Sequence, residues 1–305
     1  MNIDNSKGKV SEELRTQQVR HVTIWGMFVN IALSGIKFVC GWIGHSQAVI
    51  ADAIHSLSDL ATDIAVLIGS RYWSLPADAE HPHGHGRIET VVTALLGFVL
   101  LAVGVGIGWN AIVTLQQRHE ANLEAPKWIA FWAAVLSIVS KELLYHWTVK
   151  VGHSIKSQAV IANAWHHRSD GFSSIPAAIS VAGAAISPDW IFLDHIGALI
   201  VCLFILQAAW SIMAPAFNQL IDAGASAKEI EQIETTALTV SGVKSVHAIR
   251  TRSIGSGTAL DLHIQVDGSL TVQKGHEISG IVKKQLLIKC PDVVDVIIHI
   301  EPYRE

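Results

Sequence analysis

Long apolar runs separated by short polar stretches fill the first 217 residues of the chain. A helix of about 20 residues crosses the apolar part of a bilayer, and each of six runs is near or above that length. They are Val22–Ile43, Ala48–Trp73, Val91–Leu115, Trp128–Val149, Ala159–Ile186 and Trp190–Met213. The pattern predicts six transmembrane α-helices within a membrane domain at 22–217, preceded by a polar segment at 1–21.

Lysine and arginine are distributed unequally between the two sides of these spans. The polar N-terminal segment and the loops after spans two and four carry most of them, while Arg118 and Lys127 lie on the other side. Positive residues in short flanks favour the cytoplasmic side. We therefore predict a multi-pass protein of the cytoplasmic (inner) membrane with both termini in the cytoplasm.

From residue 218 to 305 the pattern becomes that of a small soluble domain. Apolar residues first recur at helical spacing behind a serine cap and then alternate with polar ones, as in half-buried strands. The predicted elements are a helix at Ser226–Val240, strands at Lys244–Thr251 and Thr258–Val266, a helix at Val272–Ile288 and a strand at Val293–Ile300. This α-β-β-α-β order predicts a two-layer cytoplasmic α/β domain.

Composition excludes several classes of protein. Only 16% of the 305 residues are charged, whereas soluble domains carry about a quarter. The net charge of −4 and the lack of a basic stretch argue against nucleic acid as a partner. The three cysteines form no C-x-x-C pair, and no Walker A sequence is present, so we expect neither a thiolate metal site nor an organic or nucleotide cofactor.

Two His-x-x-x-Asp motifs lie inside predicted spans, His55 with Asp59 in span two and His166 with Asp170 in span five. Side chains at i and i+4 project from one face of a helix, close enough to hold one ion. Two imidazoles and two carboxylates in a tetrahedron suit Zn²⁺, with Cd²⁺, Co²⁺ and Fe²⁺ as related ions. The alternative is that each pair is only a hydrogen bond or a contact between helices.

Two more aspartates follow the same face of span two. Asp52 is three residues before His55, and Asp63 is four residues after Asp59. Ionisable groups inside a membrane face a partner or a water-filled pathway. Asp52 and Asp63 are therefore predicted either to line the metal route or to pair with Lys37 or Arg168.

Two further groups of possible ligands lie outside the spans. The loop after span two carries an aspartate and three histidines with flexible glycines, which favours a metal cluster over a solvated loop. These residues are Asp78, His81, His83 and His85. The tail carries four histidines and a late glutamate, each of which by itself is more often a surface or core residue. They are His247, His263, His276, His299 and Glu301.

The paired motifs, the six spans and the α/β tail resemble the cation diffusion facilitators, and the bacterial YiiP-like branch most of all. The resemblance implies a homodimeric divalent-metal/proton antiporter that exports metal from the cytoplasm and has a metallochaperone-like tail. It assigns His55, Asp59, His166 and Asp170 to the transport site. The YiiP-like pattern has aspartate where His55 stands, and histidine there resembles the zinc-preferring branches.

The same resemblance implies roles for residues outside the spans. It places a cytoplasmic-side site on Asp78, His81 and His85, with His83 as an extra residue. It implies a metal site at the dimer contact of the tail, formed by the four histidines and by Glu301, where the family has aspartate. It also implies that Arg87 pairs with Asp222 and links the halves of the dimer.

The sequence therefore predicts a secondary transporter, not an enzyme, that exchanges Zn²⁺ for protons and also binds Zn²⁺ as a structural or regulatory ligand. One alternative is an intramembrane metallohydrolase, but H-E-x-x-H and G-x-S-x-G are both missing. Another is a metal sensor anchored by the spans. An anchor would have no need for charged ligands in mid-membrane.

Overall fold

The structure, a computed structural model, describes residues 4–117, 124–155, 157–255 and 257–303, without the side chains of 4–16, Asp63 and Val66. Within these ranges, six long helices come first. They are α1 (Asp4–Ile43), α2 (Gln47–Trp73), α3 (Arg87–Gln116), α4 (Trp128–Ser154), α5 (Gln158–Ile186) and α6 (Phe192–Leu220), with a short 3₁₀ turn at Pro188–Trp190. Each predicted span thus corresponds to one helix, and α1 also takes in most of the polar segment at 1–21.

Four of these helices are long and apolar enough to cross a membrane within the part of the chain that the structure describes. They are the regions Gln17–Ile43, Arg87–Gln116, Trp128–Ser154 and Pro188–Leu220. The helices outside this set, α2 and α5, carry the two His-x-x-x-Asp motifs, whose polar side chains lower their apolar content. The membrane domain is therefore supported, and the count of six spans stays a prediction.

The chain divides into two compact units. One is formed by residues 1–64 and 97–210, and the other by residues 65–96 and 211–305. In the first unit, small side chains pack the helices closely. Gly108 of α3 has no room for a methyl group, since a Cβ there would stand 2.9 Å from the sulfur of Cys202 in α6. Large apolar side chains such as Trp132, Ile179 and Leu203 remain exposed on the outside of this unit, as lipid-facing residues do.

The tail folds as α7 (Ala227–Leu238), β1 (Ser245–Ile254), β2 (Gly257–Val266), α8 (Val272–Lys289) and β3 (Val293–Pro302). This is the predicted order, with boundaries within three residues, although Ser256, between β1 and β2, lies outside the described residues. Ser226 caps α7 through the backbone N–H of Glu229, and the Glu229 carboxylate accepts from the Ser226 N–H in return. Such a capping box satisfies two free donors at a helix start.

The sheet has the order β1-β2-β3, antiparallel between β1 and β2 and parallel between β2 and β3. A parallel pair needs a long connection across one face of the sheet, and α8 provides it. Leu260, Leu262 and Ile264 of the central strand are buried with Val282 and Leu286 of α8. This core fixes the register of the strands that carry the tail histidines.

Replacing two glycines of the tail with alanine should have opposite effects on the stability of the tail. Gly242 has φ 96°, and a Cβ there would stand 2.8 Å from Ile278; alanine should destabilise the tail by about 1–2 kcal/mol. Gly280 lies in α8, where an added Cβ would meet nothing within 4 Å, so alanine should stabilise the tail by about 0.5–1 kcal/mol. Urea unfolding of the tail in the full chain measures both, and equal signs would contradict the prediction.

Candidate metal sites

The four predicted transport ligands all lie in the first unit, His55 and Asp59 on α2 and His166 and Asp170 on α5. Helical spacing brings the His166 Nδ1 to 3.6 Å from the Asp170 Oδ1. Asp59 interacts electrostatically with His55, His166 and Asp170. Asp59 of α2 is thus close enough to His166 and Asp170 of α5 for their charges to affect one another. Asp170 is buried, and the other three are partly or largely accessible.

A lysine that the sequence reasoning missed reaches into this site. The Lys141 ammonium, on α4, donates to the Asp170 Oδ2 at 2.8 Å, and its side chain is only 2% exposed. The signal for it was a lysine inside the apolar run Trp128–Val149, because such a residue needs a partner in the membrane. Across the side chains that the structure describes, the transport residues form no group whose ligand atoms all lie within 4.8 Å.

Asp52 pairs with Lys37, one of the two partners that the sequence allowed for it. The Lys37 ammonium donates to the Asp52 Oδ2 at 3.0 Å and to the Ser56 hydroxyl at 2.7 Å, and both charged side chains are buried. Arg168 instead pairs with Glu142 at 3.1 Å. The side chain of Asp63, the other aspartate considered for the route, lies outside the described residues.

The loop after α2 gathers the three residues that the family resemblance selected. The Asp78 carboxylate lies 3.5 Å from the His81 Nδ1 and 3.5 Å from the His85 Nε2. The backbone N–H of His81 donates to Asp78 and is the main cause that lowers the pKa of this carboxyl. A carboxylate ionised at neutral pH beside two imidazoles is a suitable set of ligands for a divalent ion.

The remaining loop residues have other surroundings. His83 is exposed and lies near Asp295, whose pKa it helps to lower after the larger effect of Lys283. Arg87, at the start of α3, donates a hydrogen bond to the Asp222 carboxylate just after α6. The predicted Arg87–Asp222 pair is thus present within one chain.

The tail cluster follows from the register of its three strands. His247 of β1 is the pairing partner of His263 in β2, and His263 that of His299 in β3. This puts three imidazoles in a row across the sheet. Glu301, two residues after His299, lies on the same face of the sheet, and its carboxylate is close to all three imidazoles. The distances from its oxygens to the ring nitrogens are 3.2 Å for His247, 3.0 Å for His263 and 3.6 Å for His299.

The electrostatics of Glu301 favour its ionised form. Burial acts to raise the pKa of its carboxyl, but the hydrogen bonds from His263 and Gln265 and the charges of His247 and His263 together outweigh it, so the pKa is lowered. A β-bulge follows His247, with Ala248 at φ 50°, and bulges redirect side chains near functional sites. Among the described side chains, the close cluster is His247, His263 and Glu301, with His299 beside it at 3.6 Å from Glu301. The fifth predicted ligand, His276, is exposed on α8 and is not part of the cluster.

Replacing His263 with alanine should lower the number of Zn²⁺ ions bound per chain by one, because this residue occupies the centre of the histidine row. The matched change His276→Ala should leave the number unchanged, since His276 lies outside the row. Equilibrium dialysis of the full chain in detergent measures both. Equal losses for the two variants would assign His276 to the site.

Two family models match the chain. The cation efflux transmembrane domain matches residues 23–221, and the cytoplasmic domain of cation efflux proteins matches residues 225–303. Together they take in the six long helices after residue 22 and the whole α/β tail.

Curated relatives include a plant protein and two bacterial ones. Metal tolerance protein C1 of Arabidopsis thaliana is 36% identical over 290 residues, which are 91% of this chain and 61% of that protein. The manganese efflux system proteins MneP and MneS of Bacillus subtilis are 33% and 31% identical, over 95% and 92% of this chain and 98% and 96% of their own lengths. The chain thus spans about three fifths of the plant relative and nearly all of each bacterial one.

The two family models cover the helical and the tail parts of the chain, and each bacterial relative is matched over nearly its whole length. The chain belongs to the cation efflux, or cation diffusion facilitator, family, whose members are metal transporters and not enzymes.

Proposed function

We propose that this chain exports divalent metal cations from the cytoplasm by exchange for protons, with Zn²⁺ as the preferred cargo. The observation that carries the proposal is the pair of motifs on α2 and α5, where His166 lies 3.6 Å from Asp170 and Asp59 interacts with both. Charged side chains inside a membrane-spanning helix are costly, so they usually face a partner or a water-filled pathway.

The ligand types argue for the metal. Two imidazole nitrogens and two carboxylate oxygens match tetrahedral Zn²⁺, whereas Mn²⁺ prefers sites built mainly from oxygen. The bacterial relatives are named for manganese efflux, so Mn²⁺ is the competing cargo. The imidazoles of His55 and His166 would therefore favour binding of Zn²⁺ over Mn²⁺.

Proton exchange follows from the same ligands. Metal binding needs neutral imidazole and ionised carboxylate, so loading the site releases protons and emptying it takes protons up. A site open in turn to each side of the membrane would then let an inward proton gradient drive metal outward. No nucleotide is required for this cycle.

The other clusters fit supporting roles in the same protein. We propose a homodimer in the cytoplasmic membrane, with six spans, cytoplasmic termini and domains at 1–21, 22–217 and 218–305. The tail row of His247, His263 and His299 with Glu301 would bind Zn²⁺ as a structural or regulatory ligand. The loop cluster at Asp78 would bind metal on the cytoplasmic side.

Flux measurements on proteoliposomes with an imposed pH gradient test the function. We expect Zn²⁺ uptake coupled to proton movement in the opposite direction, and weaker competition by Mn²⁺ than by Cd²⁺. Faster uptake of Mn²⁺ than of Zn²⁺ would overturn the metal preference but not the transport. Binding of Zn²⁺ without flux would favour the membrane-anchored sensor instead.

A further inference from the structure

The carboxylate of Asp170 is shared between two groups. Its Oδ2 accepts from the Lys141 ammonium at 2.8 Å, and its Oδ1 lies 3.6 Å from the His166 imidazole. Both Lys141 and Asp170 are buried, with side chains 2% and 7% exposed. A lysine therefore holds one of the two oxygens with which Asp170 would bind a metal.

The packing of α4 against α5 keeps this lysine in place. Gly171 follows Asp170, and a Cβ at Gly171 would stand 3.1 Å from the Lys141 Cβ. The helices thus approach closely at this point, and the stem of Lys141 lies against α5.

A second ion pair fixes the same two helices in register. Glu142, next to Lys141, pairs with Arg168 of α5 at 3.1 Å. The Arg168 guanidinium also stacks 4.5 Å from the ring centre of Tyr145 on α4, a favourable cation–π contact. These contacts between α4 and α5 therefore hold the Lys141 side chain beside Asp170.

We propose that Lys141 is a tethered cation that competes with the transported metal for Asp170, and so sets the affinity of the transport site. This inference rests on the proposed function, because it takes Asp170 as a metal ligand. When metal enters, the ammonium gives up the Oδ2, and when metal leaves, it returns. The carboxylate is thus never left without a positive partner in the buried site.

The competition has a consequence for transport. A resident positive charge a few ångströms from the metal weakens metal binding through direct repulsion. Weaker binding eases release, which an exporter needs as much as it needs capture. Lys141 is therefore an affinity-determining residue that does not itself bind the metal.

Co²⁺ binding to the full chain in detergent tests this, in a background where His81→Ala and His263→Ala weaken the loop and tail clusters. The absorption of Co²⁺ in the visible range reports its ligands. We expect Lys141→Met to tighten Co²⁺ binding by about tenfold or more. Lys150→Met, which removes an exposed lysine from the same helix, should leave the affinity unchanged.

The variant Lys141→Gln separates charge from orientation, and it also serves if Lys141→Met does not fold. Glutamine keeps a donor for Asp170 but has no charge, so competition predicts tighter binding for it as well. Unchanged or weaker Co²⁺ binding in the lysine variants would overturn the proposal. Asp59→Asn distinguishes the two hypotheses, because if it leaves the Co²⁺ band intact, the transport site itself is wrongly placed.

Discussion

Replacing Asp59 with asparagine should abolish metal flux in proteoliposomes, with a loss of at least about 100-fold. Loss of a group that only supports a ligand already costs about 10–100-fold in metal affinity or activity. Asp59 is a better position than Asp170 for this test, because Asp170 also holds Lys141. The neutral amide keeps the size of the side chain and removes the charge that we propose binds the ion.

The control for this variant is Asp189→Asn. Asp189 lies exposed in the 3₁₀ turn before α6. The substitution therefore removes one negative charge, as Asp59→Asn does, but at a position away from the two motifs. We expect flux as in the unaltered protein. Flux that survives in Asp59→Asn, in protein that folds and reconstitutes normally, would remove Asp59 from the transport site.

Replacing Lys37 with methionine should destabilise the membrane domain by about 3–5 kcal/mol, the cost of breaking a buried ion pair from one side. The change leaves the Asp52 carboxylate buried with no exposed surface and without its lysine. The hydroxyl of Ser56 also loses its hydrogen bond from the ammonium. Denaturant unfolding in detergent micelles measures the free energy.

The double variant Lys37→Met with Asp52→Asn should recover much of this stability, because no buried charge then lacks a partner. Lys150→Met is the matched control, and as an exposed substitution it should change the free energy of unfolding by less than about 0.5 kcal/mol. A double variant as unstable as Lys37→Met alone would show that the methionine, and not the unpaired Asp52, causes the loss.

The local rules of the chain predicted the tail well. Helix α7 begins behind Ser226 and α8 ends within one residue of the predicted position, and the strands fall where alternation placed them. Capping and periodicity act between residues a few positions apart, so the sequence alone reports them. For the same reason the i,i+4 contact of His166 with Asp170 was predictable.

Contacts between residues far apart in the sequence were harder to predict from the sequence. Lys141 and Asp170 are 29 residues apart, and no local pattern favours this pair over others. Lys37 was foreseen as one of two partners for Asp52, 15 residues away, but only packing made the choice. Arg168, the other partner considered, is held by Glu142.

By itself, the sequence determined the apolar helices, the α/β order of the tail and the positions of the candidate ligands on α2, on α5 and in the loop, because each depends on spacing along one element. Only the tertiary structure decided that strand register aligns His247, His263 and His299 over Glu301, that His276 stays outside this row, and that Lys141 binds the carboxylate of Asp170. These contacts depend on how separate helices and strands pack, and packing is set by the whole core.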